Sequence, residues 1–325
     1  MIHGRRVVVA GALALVALLS ACDVQARDHA EPPTATAQVP LPPDVSFNQS
    51  IDAPDESADC DTSSLRPPAE MPDPGRMPPR TTMADIVQRG RLIVGTDLGS
   101  NPLSFRDPLS GDVKGFDVDV AHWVSQALFN DPNRIDYRMV STGNRIHALN
   151  SGEVDMVIKS MSITCQRLNE VAFSAPYFTA TQRILAYRNS GIEDVADLAK
   201  RSVCAAREST SAARVSRLVP NIRFVTTLSW ADCLVMMQQG QVDAITTDTP
   251  ILAGIAAQDP WVHVVGENLG YENYGIGMPK GKDDLVRFVN GVLAERRADG
   301  SWHRSYQTWL SDLGPASPPS YNYRD

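Results

Sequence analysis

The chain has 325 residues, of which 38 are acidic and 30 are basic, so its formal net charge is −8. This acidic balance argues against nucleic acid and against an anionic lipid surface as partners. It does not exclude a small acidic ligand, because a local site can oppose the global charge. The first predicted element is a leader: Arg5 and Arg6 precede an apolar run from Val7 to Leu19, which is too short to span a bilayer and is typical of a signal peptide.

Small residues and a cysteine close the apolar run. The stretch Leu19-Ser20-Ala21-Cys22 resembles the lipobox of bacterial lipoproteins. The resemblance implies that residues 1–21 are a lipoprotein signal peptide and that Cys22 becomes the lipidated first residue of the mature chain. We therefore expect the protein to be attached by a lipid to the extracytoplasmic face of the cell membrane.

Residues 22–80 have a different composition from the rest of the chain. Twelve of the 23 prolines fall in this segment, among Asp, Glu, Ser, Thr and Ala, with few large apolar side chains. Such a segment buries too little surface to offset its ordering entropy, so the composition predicts an extended, partly polyproline tether. A shorter Pro-rich tail is predicted for residues 313–325.

The chain between the tether and the tail alternates apolar bursts with amphipathic stretches. This pattern predicts an α/β fold with crossover helices. The predicted strands are residues 91–95, 154–158, 183–187, 202–205 and 243–246, and the predicted helices are residues 118–128, 145–150, 212–218, 230–239 and 285–297. The similar phrases at residues 150–155 and 238–243 suggest two lobes of related construction.

Several motifs within residues 82–312 resemble the extracytoplasmic solute-binding proteins of family 3, which capture polar amino acids for ABC importers. The motifs are Val94-Gly95-Thr96-Asp97, Gly115-Phe116-Asp117-Val118-Asp119, the segment from Ser162 to Pro176, Asp194-Leu198-Lys200, Gly240-Val242-Asp243-Ala244 with Asp248, and Gly300-Trp302-Tyr306-Trp309. The resemblance implies a type II periplasmic-binding-protein-like fold, in which two Rossmann-like lobes are joined by two crossing strands. Lobe 1 would comprise residues 81–187 and 276–312, and lobe 2 residues 188–275, with crossings near residues 185–188 and 275–279.

The same resemblance implies an amino-acid site in the cleft between the lobes. Arg167 matches the family arginine that grips the ligand's α-carboxylate, and its planar fork suits that group. Asp248 would take the ammonium, and Ser160, Ser162 and Thr210 would contribute hydroxyls or backbone donors. For Asp248 an alternative reading is a helix N-cap ahead of Thr249-Pro250, and for an isolated Arg167 it is a surface arginine.

The distal end of the ligand would meet further cations. Arg145 lies in Asn144-Arg145-Ile146, which resembles a segment of the glutamate/aspartate-binding branch, and Lys159 stands directly before Ser160. Arg106 is a third candidate cation, or else an ion-pair partner of Asp107 or Asp112. Phe105 and Trp230 are candidates to cover the ligand's methylenes, or else core residues. The distal arginine that the acidic branch carries near Asp97 is missing, so acidic ligands and their amides both stay candidates.

Cysteines and one unusual acid complete the inventory. Four cysteines remain besides Cys22, an even number in an oxidising compartment. Cys204 ends a predicted strand and Cys233 lies on the next helix, which favours that pair and leaves Cys60 with Cys165 by elimination. Glu208 replaces a glycine that family members usually place before the Thr pair. Neither a metal motif nor a cofactor motif is found.

The sequence thus predicts a monomeric, lipid-anchored receptor that is not an enzyme. It would deliver aspartate, glutamate, asparagine or glutamine to ABC permease subunits. Tethered glutamine-type binding lipoproteins of actinobacteria, which the chain resembles in its cysteines, also make a signalling membrane protein a candidate partner. The alternative from another class is a secreted prephenate or arogenate dehydratase of the same fold, with Glu208 as its acid.

Overall fold

The structure is a computed structural model that describes residues 39–49, 51 and 60–325. The predicted signal peptide, Cys22 and the first part of the predicted tether lie outside the described residues. No helix in the described part of the chain combines the length and the apolar character needed to cross a membrane.

Strands and helices alternate along the described chain. The strands are β1 (Ser46–Phe47), β2 (Ser64–Leu65), β3 (Leu92–Thr96), β4 (Gly99–Ser100), β5 (Ser104–Arg106), β6 (Val113–Lys114), β7 (Ile135–Met139), β8 (Met156–Val157), β9 (Ala172–Phe173), β10 (Phe178–Tyr187), β11 (Ser202–Ala206), β12 (Arg223–Thr227), β13 (Ala244–Asp248), β14 (Val262–Tyr274), β15 (Gly277–Met278) and β16 (Tyr323–Arg324). The helices are α1 (Thr82–Arg89), α2 (Phe116–Phe129), α3 (Arg145–Asn150), α4 (Cys165–Leu168), α5 (Thr210–Leu218), α6 (Trp230–Gln238), α7 (Thr249–Ala256), α8 (Asp283–Ala298) and α9 (Ser301–Trp309), with short 3₁₀ turns at Thr142–Asn144, Val195–Leu198 and Ser311–Leu313.

Lobe 1 is built on a sheet with the strand order β7-β3-β8-β15-β9. The first three strands run parallel, whereas β15 is antiparallel to both of its neighbours. Helix α2 covers this sheet with Phe116, Val120, Val124 and Leu128, all buried and four residues apart, so that they share one face of the helix. Parallel strands joined by covering helices leave the ends of the strands free for a binding site.

Lobe 2 is built on a sheet with the order β1-β12-β11-β13-β10-β14. Strand β11 runs parallel to β12 and β13, and β10 runs antiparallel to β13 and β14. A disulfide joins Cys204 on β11 to Cys233 on α6, and another joins Cys60 to Cys165 at the start of α4. Both predicted disulfides are therefore present.

The two lobes are joined where the chain changes sheets. It leaves the lobe 1 sheet after β9 and enters the lobe 2 sheet with β10, and it returns between β14 and β15. Leu185, which the sequence analysis places at the first crossing, already pairs with Ile245 in the lobe 2 sheet. In the structure the chain changes sheets between β9 and β10, which lies before Leu185.

Parts of the predicted tether and tail pack against the lobes. Strand β1 pairs with β12 at the edge of the lobe 2 sheet. Strand β2 pairs with β16 from the C-terminal tail, and the Asn290 side chain donates to the Ser64 hydroxyl and to the Leu65 carbonyl oxygen, both at 2.7 Å. Leu65 is buried, so even a proline-rich segment gains apolar contacts here.

Candidate ligand-binding site

A cleft between the lobes collects polar side chains from both of them. It encloses about 260 Å³, including space open to solvent. Lobe 1 contributes Thr142, Arg145, Ser160 and Ser162, and lobe 2 contributes Ser209, Thr210, Ser211, Trp230, Asp248 and Ile251. Of the predicted site residues, the structure therefore brings Arg145, Ser160, Ser162, Thr210, Trp230 and Asp248 together in one cleft.

Arg167 lies directly behind this lining, on the one-turn helix α4. The Thr164 hydroxyl caps that helix by accepting from the Arg167 N–H at 3.2 Å. Nη1 of Arg167 donates to the Ser162 carbonyl oxygen at 2.8 Å, and Nη2 donates to the Glu208 carbonyl oxygen at 3.2 Å. Burial lowers the pKa of Arg167, and the charges of Glu272, Asp248 and Glu208 oppose that effect. Among the described residues, no carboxylate lies within ion-pair distance of its guanidinium.

Asp248 is the last residue of β13 and the N-cap position of α7. Its side chain makes no capping hydrogen bond to the helix. Instead Oδ2 accepts from the Tyr274 hydroxyl at 2.5 Å, whereas Oδ1 is buried and has no hydrogen-bond partner among the described residues. Burial, with a contribution from Glu272, raises the pKa of Asp248 to about 7. The Asp248 side chain therefore does not cap helix α7. Its buried Oδ1 can accept a hydrogen bond from a ligand.

Hydroxyl groups meet where the two lobes approach each other. Oγ of Ser162 lies 3.4 Å from Oγ1 of Thr210, which begins α5 and also donates to Oε2 of Glu272 at 3.1 Å. Ser160 has a left-handed backbone with φ of 38°, and its N–H donates to Oδ2 of Asp117 at 3.0 Å. This hydrogen bond holds Ser160 in a conformation that non-glycine residues rarely adopt.

Arg145 is a buried cation in the cleft lining. Its Nε donates to the Thr142 carbonyl oxygen at 2.8 Å, and Nη1 donates to the Lys159 carbonyl oxygen at 3.3 Å. Burial first, and then the neighbouring Arg167, lower the pKa of Arg145 to about 9. In the described part of the chain no carboxylate reaches ion-pair distance of Arg145, so its direct partners are carbonyl oxygens, and the charge of Asp248 stabilises it from farther away.

Lys159 does not line the cleft, in contrast to the prediction. Its Nζ forms a buried ion pair with Oδ2 of Asp97 at 2.9 Å and donates to the Val140 carbonyl oxygen at 2.7 Å. The positive charge is therefore compensated within lobe 1 and is not available for a ligand. The prediction missed this pair because nothing in the sequence shows that Asp97, at the end of one strand, meets Lys159 beyond another.

Arg106 and Phe105 also lie away from the cleft, on the small sheet formed by β4, β5 and β6. Arg106 is exposed and its Nη1 donates to the Gly111 carbonyl oxygen at 2.6 Å. Asp107 and Asp112, the alternative partners of Arg106, pair with Lys114 instead. Phe105 packs edge-on against Trp309, with ring centroids 5.9 Å apart. Both side chains thus have structural roles.

Glu208 of lobe 2 lies opposite Gly143 of lobe 1. Its backbone is left-handed, with φ of 59°, a conformation that favours glycine over residues with a side chain. A methyl group added to Gly143 of lobe 1 would lie 3.2 Å from Cδ of Glu208, so the glycine permits a close approach. The Glu208 side chain is exposed, which suits a solvated position at the rim.

Sequence reasoning missed several residues of the site. Thr142, Ser209, Ser211 and Ile251 line the cleft. Glu272 and Tyr274 stand behind it on β14, and Glu272 forms a buried ion pair with Arg214 at 2.6 Å. The alternation of side chains between the two faces of β14 could have indicated them, since Glu272 and Tyr274 are two residues apart and therefore point to the same face. Among the described residues no cluster of His, Cys, Asp and Glu could hold a metal ion.

Comparison with known proteins identifies the family. The family model of the bacterial extracellular solute-binding proteins, family 3, matches residues 92–312. The chain belongs to this family. It is a solute-binding protein and not an enzyme, so the dehydratase alternative is rejected.

Individual relatives agree with this assignment. The solute-binding protein is 38% identical over 200 residues to a glutamine-binding protein of Geobacillus stearothermophilus, which covers 61% of this chain and 76% of the relative. It is 31% identical over 230 residues to the glutamate-binding protein GluB of Corynebacterium glutamicum, covering 67% and 78% of the two chains. An ancestral arginine-binding protein bound to glutamine has a TM-score of 0.64 at 31% identity, covering 68% of this chain and 98% of the other. The predicted two-lobed type II fold is confirmed.

Proposed function

We propose that this solute-binding protein captures a dicarboxylic amino acid, aspartate or glutamate, in the interlobe cleft and delivers it to an ABC importer. The observation that carries the proposal is a charge pattern. Two buried arginines, Arg145 and Arg167, have no carboxylate within ion-pair distance among the described residues, and both interact with the charge of Asp248, a buried carboxylate with one oxygen that lacks a hydrogen-bond partner in the same part of the chain.

The pattern complements one class of ligand. An amino acid brings an α-carboxylate for Arg167 and an ammonium for Oδ1 of Asp248, and Ser162 and Thr210 supply hydroxyl donors beside them. This leaves the charge of Arg145 uncompensated until a second anionic group arrives. A side-chain carboxylate supplies that group fully, whereas an amide supplies only a carbonyl oxygen. Glutamate and aspartate therefore fit better than glutamine and asparagine.

The relatives support the amino-acid part of the proposal. Those compared above are named for binding glutamine, glutamate and arginine. Trp230, which is 5% exposed and begins α6, lies in position to cover the ligand's methylenes.

Titration calorimetry of the purified mature protein against all twenty amino acids tests the proposal. Aspartate or glutamate should bind most tightly, with asparagine and glutamine weaker by about tenfold or more, a difference of about 1.4 kcal/mol. Tightest binding of arginine or lysine, or binding of none of the twenty, would show that the charge pattern has been misinterpreted.

The lipid anchor is a second part of the proposal, and it rests on the Leu19-Ser20-Ala21-Cys22 sequence. Cys22 would carry the lipid that keeps the receptor near its permease. Expression of a Cys22→Ala variant, followed by separation of membrane and soluble fractions, tests it. The wild type should be found with membranes and the variant released, and equal partition of both would remove the anchor from the proposal.

A further inference from the structure

Tyr274, the last residue of strand β14, contacts the side chain of Asp248, the lobe 2 carboxylate that is proposed to bind the ligand's ammonium. Tyr274 is fully buried, between the rings of Tyr177 and Phe178, whose centroids are 6.2 and 5.8 Å from its own. Its backbone pairs with Ser162 of lobe 1, and its hydroxyl donates to Oδ2 of Asp248 at 2.5 Å. One residue is thus held by the aromatic core, paired with lobe 1 and bonded to the carboxylate of lobe 2.

We propose that Tyr274 is a positioning residue for ligand binding: its hydroxyl fixes Asp248 by donating to Oδ2, leaves Oδ1 for the ligand's ammonium and, through that hydrogen bond, favours the ionised carboxylate. This inference rests on the proposed function, since it assigns the ammonium of an amino acid to Asp248. Tyr274 itself acts through Asp248.

The surroundings of Asp248 show why a supporting donor is needed. Burial and the nearby Glu272, also on β14, both raise the pKa of Asp248. The Tyr274 hydrogen bond counts most among the influences that lower it, ahead of the charges of Arg214 on α5 and Arg145 on α3. Arg167 is the further cation that interacts with Asp248. Glu272 forms an ion pair with Arg214. Tyr274, in contrast, donates a hydrogen bond directly to the Asp248 side chain.

A pair of tyrosine variants separates positioning from a merely structural role. Tyr274→Phe removes the hydroxyl and keeps the ring. Tyr187→Phe is the matched control, because the Tyr187 hydroxyl donates at 2.7 Å to the Met237 carbonyl oxygen in the same lobe, and the charge that acts on it is that of Asp259 and not of Asp248. The first measurement is the titration of the Asp248 carboxyl by ¹³C NMR in the ligand-free protein. Its midpoint should rise by about one pH unit in Tyr274→Phe and stay at the wild-type value in Tyr187→Phe.

The second measurement is affinity for L-glutamate, or for L-glutamine where that binds more tightly, across a pH series. Near neutral pH Tyr274→Phe should bind about tenfold more weakly than wild type, and near pH 8.5 the difference should shrink to about threefold or less, because Asp248 is then ionised in both proteins. A loss of packing alone would instead weaken binding equally at every pH.

Several results would overturn the inference. An Asp248 midpoint in Tyr274→Phe equal to that of wild type would do so, and so would a pH-independent loss of affinity. If the variant does not fold, the NMR resonance of the wild-type Tyr274 hydroxyl proton serves as the probe. Its chemical shift should change as Asp248 titrates, and a chemical shift that is independent of pH would contradict the proposal. A wild type that binds no amino acid rejects the proposed function, while the ligand-free titrations still decide whether Tyr274 controls Asp248.

Discussion

Arg167 and Glu208 connect the two lobes across the cleft: the guanidinium of Arg167, on lobe 1, donates to the carbonyl oxygen of Glu208, on lobe 2, at 3.2 Å. The other branch of the same guanidinium donates to Ser162 of lobe 1. A residue proposed to bind the ligand's carboxylate thus also bridges the lobes. Ligand capture and lobe closure would then depend on one side chain.

Arg167→Ala should abolish amino-acid binding while the fold persists. Loss of one partner of a buried charge pair costs about 3 to 5 kcal/mol, or at least a hundredfold in affinity. Arg106→Ala is the matched control, because that arginine is exposed and lies outside the cleft lining. Calorimetry measures both variants, and circular dichroism checks the fold. An affinity of Arg167→Ala within threefold of wild type would contradict the assignment.

Binding should weaken as the pH falls through about 7, the value to which burial and Glu272 raise the pKa of Asp248. Only the ionised carboxylate attracts the ammonium, so protonation competes with the ligand below that pH and is absent well above it. Affinity should fall by about tenfold per pH unit on the acid side. In Asp248→Asn binding should be weak and nearly independent of pH over the same range. A wild-type affinity that is constant down to about pH 5 would exclude this role.

Arg145→Met should change selectivity rather than stability. Glutamate should lose more affinity than glutamine, by about tenfold or more, because only the acidic ligand compensates the Arg145 charge. Lys159→Met should behave differently: it leaves Asp97 buried without its partner and should lower the free energy of unfolding by about 3 to 5 kcal/mol, with the ratio of the two affinities unchanged. Calorimetry with both ligands and thermal unfolding measure these effects. Equal losses for glutamate and glutamine in Arg145→Met would mean that Arg145 only shapes the pocket.

Glu208→Gly should stabilise the fold by up to about 1 kcal/mol, because a left-handed backbone is strained for a residue with a side chain. Lys200→Gly is the matched control, since Lys200 is exposed and has φ of 66°. Both variants should unfold at higher temperature. Only Glu208→Gly should also release the ligand faster in stopped-flow experiments, because only Glu208 contacts Gly143 across the cleft. A less stable Glu208→Gly would show that the carboxylate contact outweighs the backbone strain.

The sequence predicted the fold class and most of the cleft because these depend on local patterns. Asp248 ends strand β13, and Ser162 and Arg167 lie in the short motif that follows β8, where the edge of a sheet places binding residues. Lys159 was misplaced because its partner, Asp97, is 62 residues away in sequence and becomes a neighbour only when β3 and β8 lie side by side. Tyr274 was missed for a similar reason, since its hydroxyl meets Asp248 only through the antiparallel pairing of β10 with both β13 and β14.

Strand β1 covers an edge that would otherwise be open. Ser46 and Phe47 pair with Thr226 and Val225 of β12, the strand that would end the lobe 2 sheet without them. A recombinant fragment that begins at Cys60 would keep every residue of the cleft and both disulfides, yet it would expose the backbone donors and acceptors of β12. Such an edge is a template for pairing between molecules. Fragments of this receptor intended for crystallisation or biosensors should therefore begin before Ser46, where the leading segment protects the molecule from self-association.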